Sequence, residues 1–225
     1  MAYRALQSPM VPLDTICNVW TIVSTMLDNA DDINQRISSQ VRRLRAATGL
    51  SLDALATKTG VSRSMLSLIE RAECSPTAVI LERLAVGLNV TLATLFEVVT
   101  ESVVANEPIQ RRACQSEWRD PETGYVRRNL SPPHVPQPMQ LVEIEFPAKA
   151  RVVFESHGRD VAIYQQFVML EGMIEITYEN HCYRLKAGDC LAVKVEGTNV
   201  FHNPTRKPAR YLVASVTEVT SRRKT

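Results

Sequence analysis

Four side chains with the chemistry to read DNA fall on one side of a predicted helix, at residues 63, 64, 67 and 68. Arg63 and Ser64 begin this helix, and Ser67 and Leu68 follow one turn later. An arginine can pair with a guanine edge, a serine with a base or a phosphate, and a leucine with a thymine methyl group. Leu68 also suits a hydrophobic core, and Ser62, just before the helix, suits a helix cap. The pattern predicts a surface that enters a DNA groove.

This helix is the second of a pair within residues 52–71, LDALATKTGVSRSMLSLIER. Apolar residues recur at three- and four-residue steps in both halves, as they do on one face of a helix. Gly60 lies between the halves, where a short turn reverses the chain and a positive φ is needed. The stretch therefore predicts a helix-turn-helix whose second helix presents its N-terminal end to DNA.

Three further helices are predicted around this pair. The first runs from about Ile33 to Ala47 and stops at Gly49, the fourth begins at about Thr77, and a last short helix ends near Phe96. Residues 33–97 hold eight Lys or Arg against five Asp or Glu, a net charge of +3, although the whole chain carries only +2. A local cationic face is sufficient to attract phosphates.

Two segments of this region, VRRLRAATGLSLDALATKTGVSRSMLSLIERAECSP and LERLAVGLNVTLATLF, resemble the XRE family of phage-repressor and Cro-type regulators. The resemblance implies a five-helix DNA-binding domain over residues 31–97 and a double-stranded DNA operator as partner. It also implies an ion pair between Arg45 and Glu70. A homodimer that reads two half-sites is expected, because one small recognition helix makes too few contacts for a specific site; an exposed sheet of the C-terminal domain or the helix predicted over 13–27 could form the contact. The candidate DNA-binding residues are Arg42, Arg43, Ser62, Arg63, Ser64, Ser67, Leu68 and Arg71.

The five cysteines, at positions 17, 74, 114, 182 and 190, form no CxxC pair. This spacing favours reduced thiols in a cytoplasm over a zinc finger or a disulfide framework, and it leaves open a sensing role by oxidation. No uninterrupted apolar run is long enough for a transmembrane helix, and the N-terminus lacks the pattern of a secretory signal. A cytoplasmic protein is expected.

Beyond Arg111 the chain consists of short segments rich in Val, Ile, Tyr and Phe, separated by turn residues such as Gly172 and Gly188. Predicted strands are MQLVEIEF (139–146), VAIYQQFVML (161–170), MIEITY (173–178), CLAVKV (190–195), NVFH (199–202) and RYLVAS (210–215). Short strands at this spacing predict an antiparallel sandwich or jelly roll.

The segment FVMLEGMIEITYENHCYRLKAGDCLAV resembles the cupin family, and WRDPETGYVRRNLSP resembles the lead-in found in regulators that join an XRE-type domain to a cupin. The expected fold is therefore a two-domain α plus all-β chain. A five-helix DNA-binding domain is followed by a linker at 98–112 and a jelly-roll cupin domain at 113–220. Residues 1–30 form an N-terminal extension, either an amphipathic helix over 13–27 or a loosely held leader.

Many cupins hold a metal with two paired histidines, a glutamate and a later histidine, and this sequence departs from that set. Gln165 stands at the glutamate position, only His157 lies near the paired histidines, and His202 matches the later one. The predicted barrel is therefore metal-free and without cofactor. We expect it to bind an unknown small-molecule effector through Gln165, Phe167 and His202, and the alternative is a filled barrel that only holds the dimer together. His202 also suits a barrel-lining residue with a satisfied hydrogen bond.

No catalytic motif is found: the chain has no GxSxG, no phosphate-binding glycine loop and no HExxH. The sequence thus predicts a DNA-binding transcriptional regulator with an effector-sensing cupin domain and no enzymatic activity. Two alternatives remain at this point. One is a cupin metalloenzyme that uses its helical domain for assembly, and the other is a protein–protein adaptor.

Overall fold

The fold comes from a computed structural model of the chain, which describes residues 33–97, 108–133, 138–157 and 161–218. The N-terminal part consists of helices and the C-terminal part of two β-sheets, so the predicted α plus all-β class is confirmed. The helices are α1 (33–47), α2 (Leu52–Thr59), α3 (Arg63–Glu70) and α4 (Ala78–Gly87), followed by a 3₁₀ helix at Ala93–Phe96.

Local signals in the sequence set the ends of these helices. The side chains of Ser51, Ser62 and Thr77 each accept a hydrogen bond from the backbone N–H three residues later, at the starts of α2, α3 and α4. Such caps satisfy amides that have no partner inside the helix. Gly60 ends α2 with φ 66°, in the left-handed region that glycine adopts easily. The turn between α2 and α3 therefore follows directly from these residues.

The helices enclose an apolar core in which Leu55, Leu66, Leu81 and Leu84 are fully buried. The predicted first helix over 33–47 is confirmed, and α4 begins after Thr77 as expected. The predicted last short helix ending near Phe96 is also present, as a four-residue 3₁₀ helix rather than an α-helix. So short a segment forms only i→i+3 bonds before the chain leaves the helical bundle.

In the described part of the chain, ten strands form two antiparallel sheets, whose strand orders are β1-β2-β3-β10-β5-β8 and β4-β9-β6-β7. The strands are β1 (Glu117–Arg119), β2 (Val126–Asn129), β3 (Met139–Phe146), β4 (Arg151–Ser156), β5 (Ala162–Glu171), β6 (Met173–Tyr178), β7 (His181–Lys186), β8 (Cys190–Lys194), β9 (Gly197–His202) and β10 (Ala209–Glu218). The inner faces of both sheets contribute to one apolar core, as in a jelly roll.

All six strands predicted as apolar runs are present, with ends shifted by a few residues at most. Strands β1, β2, β4 and β7 were not predicted as separate strands. Strand β7 lies at the edge of the four-stranded sheet and buries only Leu185, so its sequence lacks a strong hydrophobic alternation.

The helical part packs directly on the β part, mainly through α4 and β4. The carboxylate of Asp120, on the β1–β2 hairpin, accepts a hydrogen bond from the N–H of Ala78 at 3.0 Å, so the β part caps α4. The indole of Trp118 also packs against the ring of Phe96, with 5.6 Å between the ring centroids. The two parts therefore share polar contacts and a continuous apolar interior.

The predicted helix over 13–27 and most of the predicted linker lie outside the described residues. The domain boundaries at 31–97, 98–112 and 113–220 remain predictions. Within the described residues, no helix has both the length and the apolarity needed to cross a membrane.

Candidate DNA-binding surface and barrel cavity

The start of α3 presents a polar surface to solvent. Ser62 caps the helix by accepting a hydrogen bond from the N–H of Met65 at 3.2 Å, and its hydroxyl lies 3.1 Å from that of Ser64. Arg63 and Ser64 are exposed in the first turn, whereas Ser67 and Leu68 are partly buried one turn later. The structure therefore brings the predicted groove-facing residues to one side of α3.

Arg63 is held near the helix surface by an acidic neighbour that sequence analysis did not consider. Its Nε lies 3.3 Å from Oδ1 of Asp53 in α2, and about 70% of each side chain is accessible, 68% for Arg63 and 72% for Asp53. An exposed pair of this kind contributes little stability and exchanges readily for another anion. Asp53 thus positions Arg63 without blocking it.

Arg71, directly after α3, makes a local network of its own. It donates two hydrogen bonds to Glu73, at 2.7 and 2.8 Å, and a third to the hydroxyl of Ser67 at 2.7 Å. The hydrogen bond with Glu73 raises the pKa of Arg71, and the same contact lowers the pKa of Glu73. Arg71 and Ser67, both DNA-binding candidates, are therefore linked to each other.

Helix α1 anchors the other end of α3. Arg45 donates to both carboxylate oxygens of Glu70, at 2.6 and 2.8 Å, which confirms the predicted pair, and the hydrogen bond raises the pKa of Arg45. Ser38 and Arg42 also donate to the backbone carbonyl of Glu70.

Arg43 instead donates to the side-chain oxygen of Gln40 at 2.7 and 2.9 Å. Arg42 and Arg43 are exposed, so their predicted phosphate contacts remain predictions.

A cavity of about 90 Å³ lies inside the β part, between the inner faces of the two sheets. Ile163, Gln165 and Phe167 line it from alternate positions of β5, as the two-residue period of a strand requires. The side-chain amide of Gln165 donates to the hydroxyl of Ser215 at 3.0 Å, so these two residues form a polar spot among mostly apolar walls.

The cavity is covered by residues of the helical part. We call Glu82, Thr91, Leu92 and Ala93 the roof, because they line the cavity from α4 and from the segment that follows it. The roof is fixed to the β part, since Ser156 donates to the carboxylate of Glu82 at 2.7 Å. A molecule in the cavity would therefore touch the sheets and the helical part together.

Comparisons with known proteins agree with this arrangement. A family profile described as a helix-turn-helix domain matches residues 36–97. The chain is 26% identical over 173 residues to the HTH-type transcriptional regulator SutR of Escherichia coli (strain K12), covering 77% of this chain and 90% of that protein. It is also similar to the crystal structure of an HTH_3 family transcriptional regulator from Vibrio cholerae. The TM-score is 0.65 and the sequence identity is 26%, and the match covers 83% of this chain and 97% of that one.

This chain carries a helix-turn-helix domain over residues 36–97, followed by a two-sheet β domain with the jelly-roll architecture expected of a cupin. The profile covers α1 to the 3₁₀ helix, and the Vibrio cholerae structure matches most of both parts. The domain order predicted from sequence is therefore correct.

Within the residues that the structure describes, the β domain does not offer the donor set of a metal-binding cupin. Gln165 is a carboxamide bonded to Ser215, and His157 is an exposed residue after β4. His202 does not line the cavity, and its predicted place in the pocket was wrong. His202 directly follows Phe201, which lines the cavity, so strand alternation turns the His202 side chain outward. Its Nδ1 lies 3.2 Å from Oε2 of Glu175. The described residues contain no group of three or more His, Cys, Asp or Glu arranged for a metal ion.

Sequence analysis missed two charged residues of the cavity, Glu82 in the roof and Arg127 on β2. A signal for Arg127 was available. Two adjacent arginines, 127 and 128, lie in one short strand, and strand alternation sends one of them inward. Arg128 makes ion pairs with Glu117 and Glu143, whereas Arg127 is buried.

Proposed function

We propose that this protein is a sequence-specific DNA-binding transcriptional regulator whose cupin domain senses a small-molecule effector. The observation that carries the proposal is the shared cavity, which is lined by the sheets and by the roof of the helix-turn-helix domain. A ligand that fits the cavity better in one arrangement of the roof shifts the protein towards that arrangement. DNA that prefers one arrangement is then bound more or less tightly when the ligand is present.

The name of the Escherichia coli relative and that of the Vibrio cholerae structure both describe transcriptional regulators, which supports DNA as the partner of this chain. The exposed start of α3 supports the same conclusion, because it presents an arginine and serines at the spacing used to read a major groove. The lack of a metal donor set among the described residues favours a sensing cupin domain over a metalloenzyme.

Replacing Arg63 by alanine should weaken binding to a selected DNA site by about 1–3 kcal/mol and relax the preference at one base pair. The physical reason is the loss of a bidentate contact to a base edge. The operator is first obtained by selecting fragments of the native genome with the purified full-length protein. Binding of both proteins to the enriched site is then measured by fluorescence anisotropy at a fixed salt concentration, because phosphate contacts depend on salt.

Arg112→Ala is the matched control, since Arg112 is as exposed as Arg63 and also pairs with an acid, Glu143 at 3.8 Å. It should leave the affinity and the site preference unchanged. Equal affinities and identical preferences for the Arg63 variant and the unchanged protein would contradict the assignment. A genome selection that enriches no fragment would contradict the DNA-binding function itself.

We further propose that the protein binds its operator as a homodimer. One recognition helix of eight residues contacts too few bases for a unique site, and a twofold pair doubles the contacts. Met139, Tyr164 and Val216 form an exposed apolar row across three neighbouring strands, because Val216 is the register partner of both others. We propose this row as the dimer contact.

Sedimentation of the full-length protein should show two chains, alone at micromolar concentration and on one operator duplex. Val216→Glu should favour the monomer, because it places a charge in an apolar contact. Tyr183→Glu is the control, as Tyr183 is a similarly exposed apolar residue on the other sheet. A single chain on the duplex would refute the dimer, and equal behaviour of the two variants would refute the contact.

A further inference from the structure

Arg127 is a buried cation with an unused donor. Only 8% of the residue is accessible, and its Nε has no hydrogen-bond partner among the residues that the structure describes. Its guanidinium lies over the ring of Phe96, 5.3 Å from the centroid, and the residue lines the barrel cavity. An aromatic face compensates a buried guanidinium only in part. A charge that is buried with an unused donor therefore marks a place where an anion would be stabilised.

The other charged group of the cavity leaves this donor unused. Glu82 lines the same cavity and accepts the hydroxyl of Ser156 at 2.7 Å, but Nε of Arg127 donates to no residue that the structure describes. Burial lowers the pKa of Arg127, and electrostatic interactions with Tyr125, Glu82 and Tyr211 act in the opposite direction. The environment thus disfavours an unpaired charge on Arg127 and would favour a second negative group beside it.

Two neutral hydrogen-bond donors line the same cavity as Arg127. Tyr125 and Tyr211 are buried and line the cavity, and burial raises the pKa of each phenol. Both phenols are therefore protonated at neutral pH, and each has an O–H available to an acceptor. Much of the remaining lining is apolar, including Ile163, Phe167 and Val213, with a separate polar spot at Gln165 and Ser215. The cavity thus combines one cationic end with an apolar body.

We propose that the cavity binds a small organic carboxylate, with its charged head on Arg127 and its apolar body between the sheets. The volume of about 90 Å³ sets the size. A cavity of about 150 Å³ holds benzene, which has six non-hydrogen atoms, so by proportion this one suits an apolar body of roughly three to four non-hydrogen atoms. The inference rests on the proposed sensing function and adds the chemical class of the effector. Because Arg127 contacts Phe96, the carboxylate would bind at the boundary between the two domains.

The test uses the full-length protein and pairs of probes that differ mainly in charge. Straight-chain carboxylates from acetate to hexanoate are compared with the corresponding amides by thermal unfolding and titration calorimetry. A ligand that binds only the folded state raises the unfolding temperature. We expect at least one carboxylate, such as butyrate, to raise it, and butyramide to have no effect.

Arg127→Met keeps the bulk of the side chain and removes the charge. It should weaken binding of the carboxylate by roughly 10- to 100-fold, as expected for the loss of a charge-assisted hydrogen bond. Arg127→Lys should retain part of the affinity, because it keeps the charge and loses the planar fork. Arg119→Met is the control, as Arg119 is an exposed arginine of the same hairpin and should leave binding unchanged.

Equal stabilisation by carboxylates and amides would overturn the proposal, and so would an Arg127→Met variant that binds the carboxylate normally. Absence of any response to the whole series would also overturn it. These outcomes are distinct from failure of the proposed function. A protein that still selects operator fragments but ignores carboxylates retains its regulatory role and loses only the ligand class. A protein that selects no fragment loses the regulatory role itself.

Discussion

Replacing Gly172 by alanine should lower the free energy of unfolding by about 3–5 kcal/mol. Gly172 joins β5 to β6, and so connects the two sheets, with φ +77°. A Cβ at this position would lie 2.7 Å from the carbonyl oxygen of Pro208 and 3.0 Å from the Cα of Ala209. Both are backbone atoms, so the clash cannot be relieved by a side-chain rotation. The left-handed conformation adds its own cost for any residue with a Cβ.

Gly124→Ala separates the two contributions. Gly124 has almost the same φ, +75°, but no heavy atom lies within 4 Å of its added Cβ. This variant should therefore lower the free energy of unfolding only by the cost of the left-handed conformation, about 1–2 kcal/mol. Urea unfolding followed by circular dichroism measures both variants against the unchanged protein. Equal losses for the two variants would show that the close approach at Gly172 does not matter.

Replacing Glu70 by alanine should lower the free energy of unfolding by about 2–4 kcal/mol, because it leaves the guanidinium of Arg45 without its bidentate partner. Side-chain exposure is 9% for Glu70 and 20% for Arg45, so water replaces the lost contact only in part. The pair also fixes the C-terminal end of the recognition helix against α1. We therefore expect the variant to bind the operator less tightly, even at temperatures where it remains folded.

Glu73→Ala is the matched control, three residues away. Glu73 also makes two hydrogen bonds to an arginine, Arg71, but half of each side chain is accessible. Its removal should leave the unfolding transition nearly unchanged, since exposed pairs contribute little. A double-mutant cycle of Arg45→Ala and Glu70→Ala measures the coupling directly. A coupling energy near zero would show that the buried pair is not what holds the two helices together.

Much of the fold could be predicted because its signals are local. The caps at Ser62 and Thr77, the glycine turn at Gly60 and the apolar periodicity of the helices all lie within a few residues of the elements they define. The 3₁₀ helix at Ala93–Phe96 differs, because packing against the β part decides how a four-residue segment ends. Edge strands such as His181–Lys186 are also hard to predict, since they bury few side chains.

The candidate sites divide in the same way. Helical spacing predicts which residues share one face of α3, and strand alternation predicts that Gln165 and Phe167 line the cavity. Residue spacing does not predict which charged side chains contact each other, because those contacts depend on how separate elements pack. Arg127 is the clearest example. Its neighbour Arg128 has the same side chain and forms ion pairs, and only the tertiary structure shows which of the two faces the cavity.

The cap that Asp120 provides to α4 has a consequence for how such proteins are assembled by recombination. The cap belongs to the cupin segment of the chain, while the helix belongs to the DNA-binding segment. A chimera that joined this helix-turn-helix domain to an unrelated C-terminal domain would leave the N–H of Ala78 without its acceptor and uncover Phe96. The two domains are therefore not freely exchangeable units, and viable exchanges would have to carry the 117–129 hairpin together with α4.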